Sequence, residues 1–319
     1  MRAPLLTLAL FTVACNDAPD EETGPVDLRV DYPDPVEGAL IFETPDLVIP
    51  AYSDIQMCTA LTYTGEDVGI VHMMNYQGPG GHHLVLYGTT TPAREIPDGE
   101  TWDCTATEDL QMENMEPVIF GGTLERRDDV TLNELDLPDG MAVLLQSNQR
   151  FVVQAHYINA TADDILVHDE AQFEVIPEDQ VETWAAPFAL SSDQFLIPAG
   201  TDSYTRTFTC TWDQEPVNAL FMGGHMHEWG KSFKTTRTRG DGPEEVLVDE
   251  PVWDAVYRDA PNMLEFEPGE LMFEQGDQLT TTCEWFNDEP EDLVFPHEMC
   301  VTFALVYPAK LPWICSDGN

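Results

Sequence analysis

Short runs rich in Val, Ile, Leu, Phe and Thr recur along the whole chain, and Pro, Gly, Asp and Asn separate them. Such runs occupy residues 142–145, 151–156, 204–211, 277–284 and 299–307. Helical periodicity is scarce, and this combination is typical of a β-sandwich or a jelly roll. We therefore predict an all-β chain of two tandem jelly-roll-like β-sandwich domains.

The length of 319 residues fits about two domains, although one large β domain is also compatible with it. The most natural division falls near residues 177–186, in a stretch between strand-like runs. We predict an N-terminal domain at 38–180 and a C-terminal domain at 181–319, each presenting a candidate site toward the other.

The first residues have the features of a processing segment. The apolar run from Leu5 to Val13 is too short to span a bilayer. The sequence around Ala14-Cys15 resembles a bacterial lipobox, which predicts a signal peptide at 1–15 and lipidation of Cys15. The alternative is an ordinary signal peptide that leaves Cys15 as a free thiol. Residues 16–37 are predicted to be an acidic tether, and residues 16–26 are expected to be disordered because they are acidic, contain Pro and Gly and lack apolar periodicity.

The charge balance excludes some partners. The 13 basic residues stand against 59 acidic ones, for a formal net charge of −46. Such a chain repels nucleic-acid phosphates and anionic lipid. Because the carboxylates are spread along the chain, they indicate a solvated surface rather than a binding patch. Membrane contact is therefore expected only through a lipid anchor, in the periplasm or at the cell surface.

The cysteine count favours an exported protein. Of the seven cysteines, six remain when Cys15 is set aside, and an even number is typical of disulfide pairing in an oxidising compartment. The count alone leaves the pairing open. No CxxC occurs, so a zinc ribbon and a thioredoxin-like motif are disfavoured.

Six residues form two candidate metal-binding sets. The three-histidine set is His82, His83 and His156, and the histidine–methionine set is His225, His227 and Met299. Imidazole suits copper, zinc, iron and nickel, whereas a thioether is soft and favours Cu(I). Together the sets predict a two-copper redox protein.

Strand geometry bears on how these side chains converge. Residues i and i+2 of a strand share a face, so His225 and His227 are expected to project together. By the same spacing Gln154 is predicted to support His156 as an outer-shell partner.

Adjacent strand residues point to opposite faces, so His82 and His83 reach one metal only where the pleat is broken. The glycine-rich residues 78–81 just upstream supply a place for that break.

Each of these residues also has an ordinary structural explanation that needs no metal. A single buried histidine is more often hydrogen-bonded in a core than bound to a metal, and a lone methionine usually fills a core. His72, His168 and His297 are taken as non-ligands, although His297 would share a strand face with Met299. The conjunction of five histidines, a methionine beside a cysteine and an exported chain favours the metal interpretation.

The order of these motifs resembles a known family, the ascorbate-dependent type II copper monooxygenases that include peptidylglycine α-hydroxylating monooxygenase and dopamine β-monooxygenase. The resemblance covers roughly residues 38–315. Its motifs are Gly81–Gly88 (GHHLVLYG), Gln154–Tyr157 (QAHY), His225–His227 (HMH) with Gly230-Lys231, Asn287-Asp288 and Glu298–Cys300 (EMC).

The resemblance implies two copper ions per chain, bound by two domains that face a solvent-filled cleft. The three-histidine set would serve electron transfer, and the histidine–methionine set would serve O2 binding and hydroxylation. The partners implied are a small organic substrate, O2 and an external one-electron reductant such as ascorbate.

The resemblance also implies a disulfide pattern. The pairs would be Cys58–Cys104, Cys210–Cys315 and Cys283–Cys300, and the last would clamp the strand that carries Met299. Thr89 and Thr90 stand where peptide-acting relatives carry a further cysteine, so one family disulfide is expected to be missing.

The positions at which this chain differs from the family pattern bear on which substrate it would bind. Gly223 stands where the peptide-amidating branch has the arginine that binds the substrate carboxylate, and Val301 and Phe303 replace its asparagine and tyrosine. A carboxylate clamp is therefore expected to be absent, which favours an apolar or aromatic substrate.

Two other functions are compatible with the sets. A copper-binding or copper-delivery envelope lipoprotein would usually carry clustered Met and His, whereas the 12 methionines are scattered and only Met73 and Met74 are adjacent. A zinc hydrolase would need a carboxylate base and an open metal position. Glu228 is next to His227 but is expected to face the other side of the strand.

Overall fold

The computed structural model describes residues 24–105, 114–122, 125–127 and 130–316. Cys15 and the predicted signal peptide lie outside the described residues. Within these ranges the regular structure is strand, with short 3-10 helices at Glu178–Gln180 and Ala255–Arg258 and no α-helix. The predicted all-β fold class is confirmed. No described helix is long and apolar enough to cross a membrane.

The strands before residue 178 are β1 Val26–Asp27, β2 Leu40–Glu43, β3 Leu47–Ile49, β4 Ser53–Thr62, β5 Val68–Gln77, β6 Gly81–Thr89, β7 Thr101–Asp103, β8 Met115–Gly122, β9 Glu125–Arg127, β10 Val130–Asp136, β11 Met141–Leu145, β12 Arg150–Asn159, β13 Ile165–Val167 and β14 Asp169–Pro177. The later strands are β15 Thr183–Ser191, β16 Leu196–Ile197, β17 Thr201–Thr211, β18 Val217–His225, β19 Gly230–Thr238, β20 Glu244–Glu250, β21 Leu264–Glu265, β22 Met272–Phe273, β23 Gln278–Asn287, β24 Leu293–Val294, β25 Val301–Tyr307 and β26 Trp313–Ser316.

Two sandwiches share one long sheet. Its main path runs β2-β14-β5-β11-β15-β25-β18-β21, and the parallel pairing of β11 with β15 joins the two halves of the chain. A five-stranded sheet, β7-β4-β12-β6-β8, belongs to the first half. A four-stranded sheet, β17-β23-β19-β20, belongs to the second.

The alternation of buried and exposed side chains explains why these runs form half-buried strands. Along β23 every second residue is buried, from Leu279 through Cys283 to Trp285, while the residues between them are partly exposed. Side chains of successive strand residues point to opposite faces, so one face of β23 enters the core and the other meets water.

Each sandwich encloses its own apolar core. In the first, Leu86 and Phe151 of the five-stranded sheet pack with Met73 and Phe173 of the long sheet. In the second, a core that includes Trp212, Phe233 and Trp285 lies between the four-stranded sheet and β15, β18 and β25. Sheet-on-sheet packing of this kind defines a β-sandwich.

Part of the predicted tether is packed on the fold. Val26 and Asp27 pair in parallel with Ile165 and Leu166. Tyr32 stacks on the ring of Tyr76 with centroids 5.4 Å apart, and its hydroxyl donates to a backbone carbonyl. The composition of 16–26 predicted disorder, but the segment that follows has Leu28 and Tyr32 to contribute to packing.

Three disulfides cross-link the chain, one within the first sandwich and two within the second. They join Cys58 to Cys104, Cys210 to Cys315 and Cys283 to Cys300. This is the pairing that the family resemblance implies, and it is confirmed.

Candidate metal centre

A β-bulge brings the two adjacent histidines to one site. On β12, His156 is paired with His83, but the next residue, Tyr157, is paired with Gly81. His82 is therefore the extra residue of a bulge, which breaks the pleat. The break falls at the end of the glycine-rich segment, as the sequence predicts.

The three imidazoles of the three-histidine set converge. The Nδ1 atoms of His83 and His156 lie 3.3 Å apart, and the ring of His82 lies 4.8 Å from that of His156 between centroids. His83 and His156 are buried, with 7% and 6% of their surfaces exposed, while His82 is exposed. The set is thus open to solvent at His82.

A carboxylate orients His156. The Nε2 atom of His156 lies 2.6 Å from Oδ1 of Asp54, on the neighbouring strand β4. An ionised carboxylate only accepts hydrogen bonds, so the neutral ring carries its proton on Nε2 and leaves the Nδ1 lone pair toward the other histidines. Gln154, predicted to support His156, instead donates to Gln56 at 2.6 Å.

Burial keeps His83 in its neutral form. Loss of hydration, together with repulsion from His156 and His82, holds the pKa of His83 well below its usual value. A neutral imidazole is the form that binds a metal. The set therefore offers a lone pair on His83 at neutral pH without proton competition.

The histidine–methionine set lies at the ends of strands rather than within them. β18 ends at His225, and His227 lies in the turn that leads into β19. The prediction that both project from one strand is therefore wrong, because the chain leaves the sheet after His225. The turn nevertheless brings the rings together, with centroids 5.1 Å apart.

His297 acts on this set through its backbone. Its carbonyl oxygen lies 2.9 Å from Nδ1 of His227. A carbonyl only accepts, so Nδ1 of His227 is protonated and the lone pair of Nε2 is left available. Burial lowers the pKa of His227 and lowers that of His225 to about 3. Both rings are therefore neutral at ordinary pH.

Glu298 is a buried junction that joins the Met299 loop to the His227 turn. Its side chain is fully buried, and it accepts hydrogen bonds from the backbone N–H groups of His227, Trp229 and Met299 at 3.2, 3.3 and 2.9 Å. The indole N–H of Trp285 donates to the same carboxylate at 2.8 Å. Met299 itself is half-buried and precedes β25, directly before the disulfide cysteine Cys300.

The surroundings of Gly223 are apolar and crowded. A Cβ at this position would lie 2.9 Å from the ring of Phe303 and 3.1 Å from the sulfur of Met263. A larger side chain at Gly223 would require these neighbours to move. Phe303 thus stands in the space that a longer side chain would need.

The segment 253–259, which we call the bridge segment, connects the two sets. The indole N–H of Trp253 donates to the carbonyl oxygen of His227 at 3.1 Å, and the guanidinium of Arg258 binds the carboxylate of Glu228 at 3.1 Å. At its other end the carboxylate of Asp259 lies with the three-histidine set, 3.4 Å from Nδ1 of His83. The ligand atoms of His82, His83, His156 and Asp259 all lie within 4.8 Å of one another.

No local pattern in the sequence distinguishes Asp54 or Asp259, and Glu298 stands out only as part of the motif Glu298–Cys300. Asp54 and Asp259 are far from the histidines in sequence and are brought to them only by strand pairing and by the bridge segment. Glu298 was visible as the neighbour of Met299, but a single acidic residue in so acidic a chain is not a distinctive signal.

The remaining histidines lie in other surroundings. The ring nitrogens of His72 lie 2.9 Å from carboxylate oxygens of Glu134 and Glu174. His168 packs edge-on against Tyr32.

Comparison with known proteins adds little to these observations. The chain matches no protein-family model and no curated protein. Among solved structures it is similar to the major capsid protein P2 of bacteriophage PM2, at 10% identity over 85% of this chain and 97% of that chain, with a TM-score of 0.34. The VP2 subviral particle of infectious bursal disease virus matches at 8% identity over 89% of this chain and 74% of that chain, with a TM-score of 0.23.

Proposed function

We propose that this protein is a copper-dependent monooxygenase, which hydroxylates a C–H bond of a small organic substrate with O2 and an external one-electron reductant. The observation that carries the proposal is the convergence of the three imidazoles, with Nδ1 of His83 and of His156 3.3 Å apart. The family resemblance of the motifs supplies the choice of copper and of oxygenase chemistry.

The donor atoms fit a metal ion. Two nitrogens that each lie about 2 Å from a tetrahedral ion are about 3.3 Å from each other, which is the spacing of His83 and His156. Two imidazoles on one ion also have ring centroids about 5 Å apart, close to the 5.1 Å between His225 and His227. Imidazole and thioether are suitable donors for copper.

Bound copper would supply one-electron transfer at the three-histidine set and O2 chemistry at the histidine–methionine set. The protein residues would prepare these sites. Burial keeps His83, His225 and His227 neutral, and the hydrogen bonds to Asp54 and to the carbonyl of His297 leave Nδ1 of His156 and Nε2 of His227 available to a metal. Glu298 holds the backbone of Met299 beside that of His227.

The residues near the histidine–methionine set favour an apolar or aromatic substrate. A Cβ at position 223 would already lie close to Phe303 and Met263, which leaves little room for an arginine that would bind a substrate carboxylate. An apolar wall would favour a substrate that is bound by burial of hydrocarbon surface.

The three disulfides support export to an oxidising compartment. We propose the bacterial cell envelope as the location, with a lipid anchor on Cys15. Mass spectrometry of the mature protein would detect that lipid, and a free or absent Cys15 would remove the anchor from the proposal.

The first experiment is metal content per chain, after copper loading and removal of loosely held metal. We expect about two copper ions in the wild type and about one in a Met299→Ala, His225→Ala double variant. One labile copper that these substitutions leave unchanged would favour a copper-binding or copper-delivery protein. Selective uptake of zinc would instead favour a hydrolase.

The second experiment is substrate-dependent O2 consumption with ascorbate as reductant. We expect turnover with apolar or aromatic substrates, and a loss of it in Met299→Ala although the three-histidine set still binds copper. His156→Ala should impair electron delivery. Efficient hydroxylation of glycine-extended peptides would contradict the proposed substrate class, and full turnover by Met299→Ala would contradict the assignment of the oxygen site.

A further inference from the structure

We propose that Asp259, supplied by the second half of the chain, is a fourth ligand at the three-histidine set, so that the metal there bridges the two halves. The inference rests on the proposed function only in that a metal occupies this set. It adds a ligand, a coordination state and a coupling between the halves that the three histidines alone do not imply.

The carboxylate lies at ligand distances rather than at hydrogen-bond distances. Its Oδ1 is 3.4 Å from Nδ1 of His83, and its Oδ2 is 3.8 Å from Nδ1 of His82. Hydrogen bonds between nitrogen and oxygen are usually 2.7–3.2 Å long. Separations of about 3.3 Å or slightly more are those of neighbouring ligands around one ion, and His83 and His156 have the same spacing.

The bridge segment fixes the position of this carboxylate. Asp254 accepts a hydrogen bond from the backbone of Val256 at the start of the short helix, and Trp253 anchors the segment to the carbonyl of His227. Arg258 binds Glu228 on the His227 turn, and its Nε also lies 3.6 Å from Asp259. Asp259 is only 19% exposed at its side chain, so its orientation is set by packing.

Two consequences follow from a carboxylate at this position. Four protein ligands close the coordination sphere of a tetrahedral ion, whereas catalytic sites keep one position open. A closed three-histidine set therefore suits electron transfer rather than O2 binding. Metal binding would also order the bridge segment, whose other end holds the turn with His227, so occupancy of one set would stabilise the other.

The test uses Zn2+ as a redox-silent probe and competition with a chromophoric chelator to measure affinity. A Met299→Ala, His225→Ala background leaves the three-histidine set as the site under study. In that background we expect Asp259→Asn to weaken Zn2+ binding by at least about 10-fold. Asp241→Asn makes the same charge change on an exposed turn of the second half and should leave the affinity unchanged.

Hydrogen exchange of the bridge segment gives an independent readout in the same Met299→Ala, His225→Ala background, where Zn2+ at the histidine–methionine set does not order the segment through the His227 turn. Zn2+ should slow backbone exchange at 253–259 in this background, and this protection should be lost when either Asp259→Asn or His156→Ala is added. Thermal unfolding without metal shows whether each variant is folded before it is compared.

The outcomes separate this inference from the proposed function. If Asp259→Asn binds Zn2+ as tightly as its parent, or if Zn2+ leaves exchange of the bridge segment unchanged in that background, Asp259 is not a ligand and the three-histidine metal site still stands. If the wild type binds no metal at His82, His83 and His156, both proposals are wrong.

Discussion

At the scale of single residues, the candidate site depends on hydrogen-bond acceptors that set which ring nitrogen is protonated in His156 and in His227. Asp54 accepts from His156, and the carbonyl of His297 accepts from His227. Each acceptor leaves the opposite ring nitrogen free for a metal, because a neutral imidazole carries one proton. The nitrogen that is available to a metal is therefore decided by a neighbour and not by the histidine itself.

Replacement of Asp54 tests this arrangement. Asp54→Asn keeps the shape of the side chain but removes the charge that fixes the ring, and we expect metal affinity at the three-histidine set to fall by about 10- to 100-fold. Competition titration with Zn2+ measures the effect. Glu37→Gln, at an exposed position in the first half, is the matched control. Equal affinity in the two variants would show that Asp54 has no influence on the site.

Asp169 predicts a pH dependence of stability away from the metal ligands. It is fully buried with its carboxylate on the hydroxyl of Tyr157, and burial raises its pKa from 3.8 to about 7. Since the folded state favours the protonated form of Asp169, this carboxyl group contributes its full stabilisation below about pH 4, and the contribution is lost as the pH rises to about 7. The free energy of unfolding falls by at most about 4 kcal/mol over this range.

Urea unfolding at a series of pH values measures this contribution. Asp169→Asn should flatten the decline of the unfolding free energy between about pH 4 and 7, while the exposed control Asp34→Asn should follow the wild type. A wild-type slope that persists in Asp169→Asn would assign the dependence to other groups.

At the scale of elements, the side chains of the two candidate metal-binding sets lie where regular strands are interrupted or end. His82 is the extra residue of a bulge in β6, His227 lies in the turn after β18, and Met299 lies just before β25. A continuous strand would divide His82 and His83 between opposite faces. Interruption of the ladder is thus what allows neighbouring residues to share a site.

The disulfide Cys283–Cys300 is the covalent support of the Met299 loop. Its replacement in Cys283→Ser, Cys300→Ser should lower the free energy of unfolding by about 2–5 kcal/mol and weaken metal binding at the histidine–methionine set. Chemical denaturation and metal titration check the two effects. Loss of Cys58–Cys104, in the other sandwich, should lower stability without changing that set. Identical effects of the two replacements on the set would contradict a local role.

At the scale of the whole molecule, the two sandwiches are joined by backbone pairing and by apolar contacts. β11 and β15 pair in parallel across the junction, and Ala185, Leu305 and Tyr307 of the second half pack into the first core. The bridge segment adds a polar connection at the candidate metal centre. The halves are therefore expected to unfold together.

Leu305→Ala tests that connection. Leu305 is 4% exposed, and its loss should leave a cavity that costs about 2–5 kcal/mol. We expect one cooperative transition at lower denaturant, followed by fluorescence and circular dichroism. Leu196→Ala, at a position that is 47% exposed, should have a small effect. Two separate transitions in the wild type would contradict the joint unfolding.

The sequence by itself determined the features that local pattern encodes. Short runs rich in Val, Ile, Leu, Phe and Thr predicted the strands, glycines at 78–81 predicted the break before His82, and the residue types of both sets predicted metal chemistry. These signals depend on neighbours in the chain, and their spacing is visible without a fold. The cysteine pairing came from the family resemblance, because the count alone left it open.

The tertiary structure alone decided which carboxylates matter. Among 59 acidic residues no spacing distinguishes Asp54, Asp259 or Glu298. Strand pairing brings Asp54 to His156, and the bridge segment carries Asp259 from the second half to His83. A buried carboxylate becomes significant through the donors that surround it, and those donors are set by packing between distant parts of the chain.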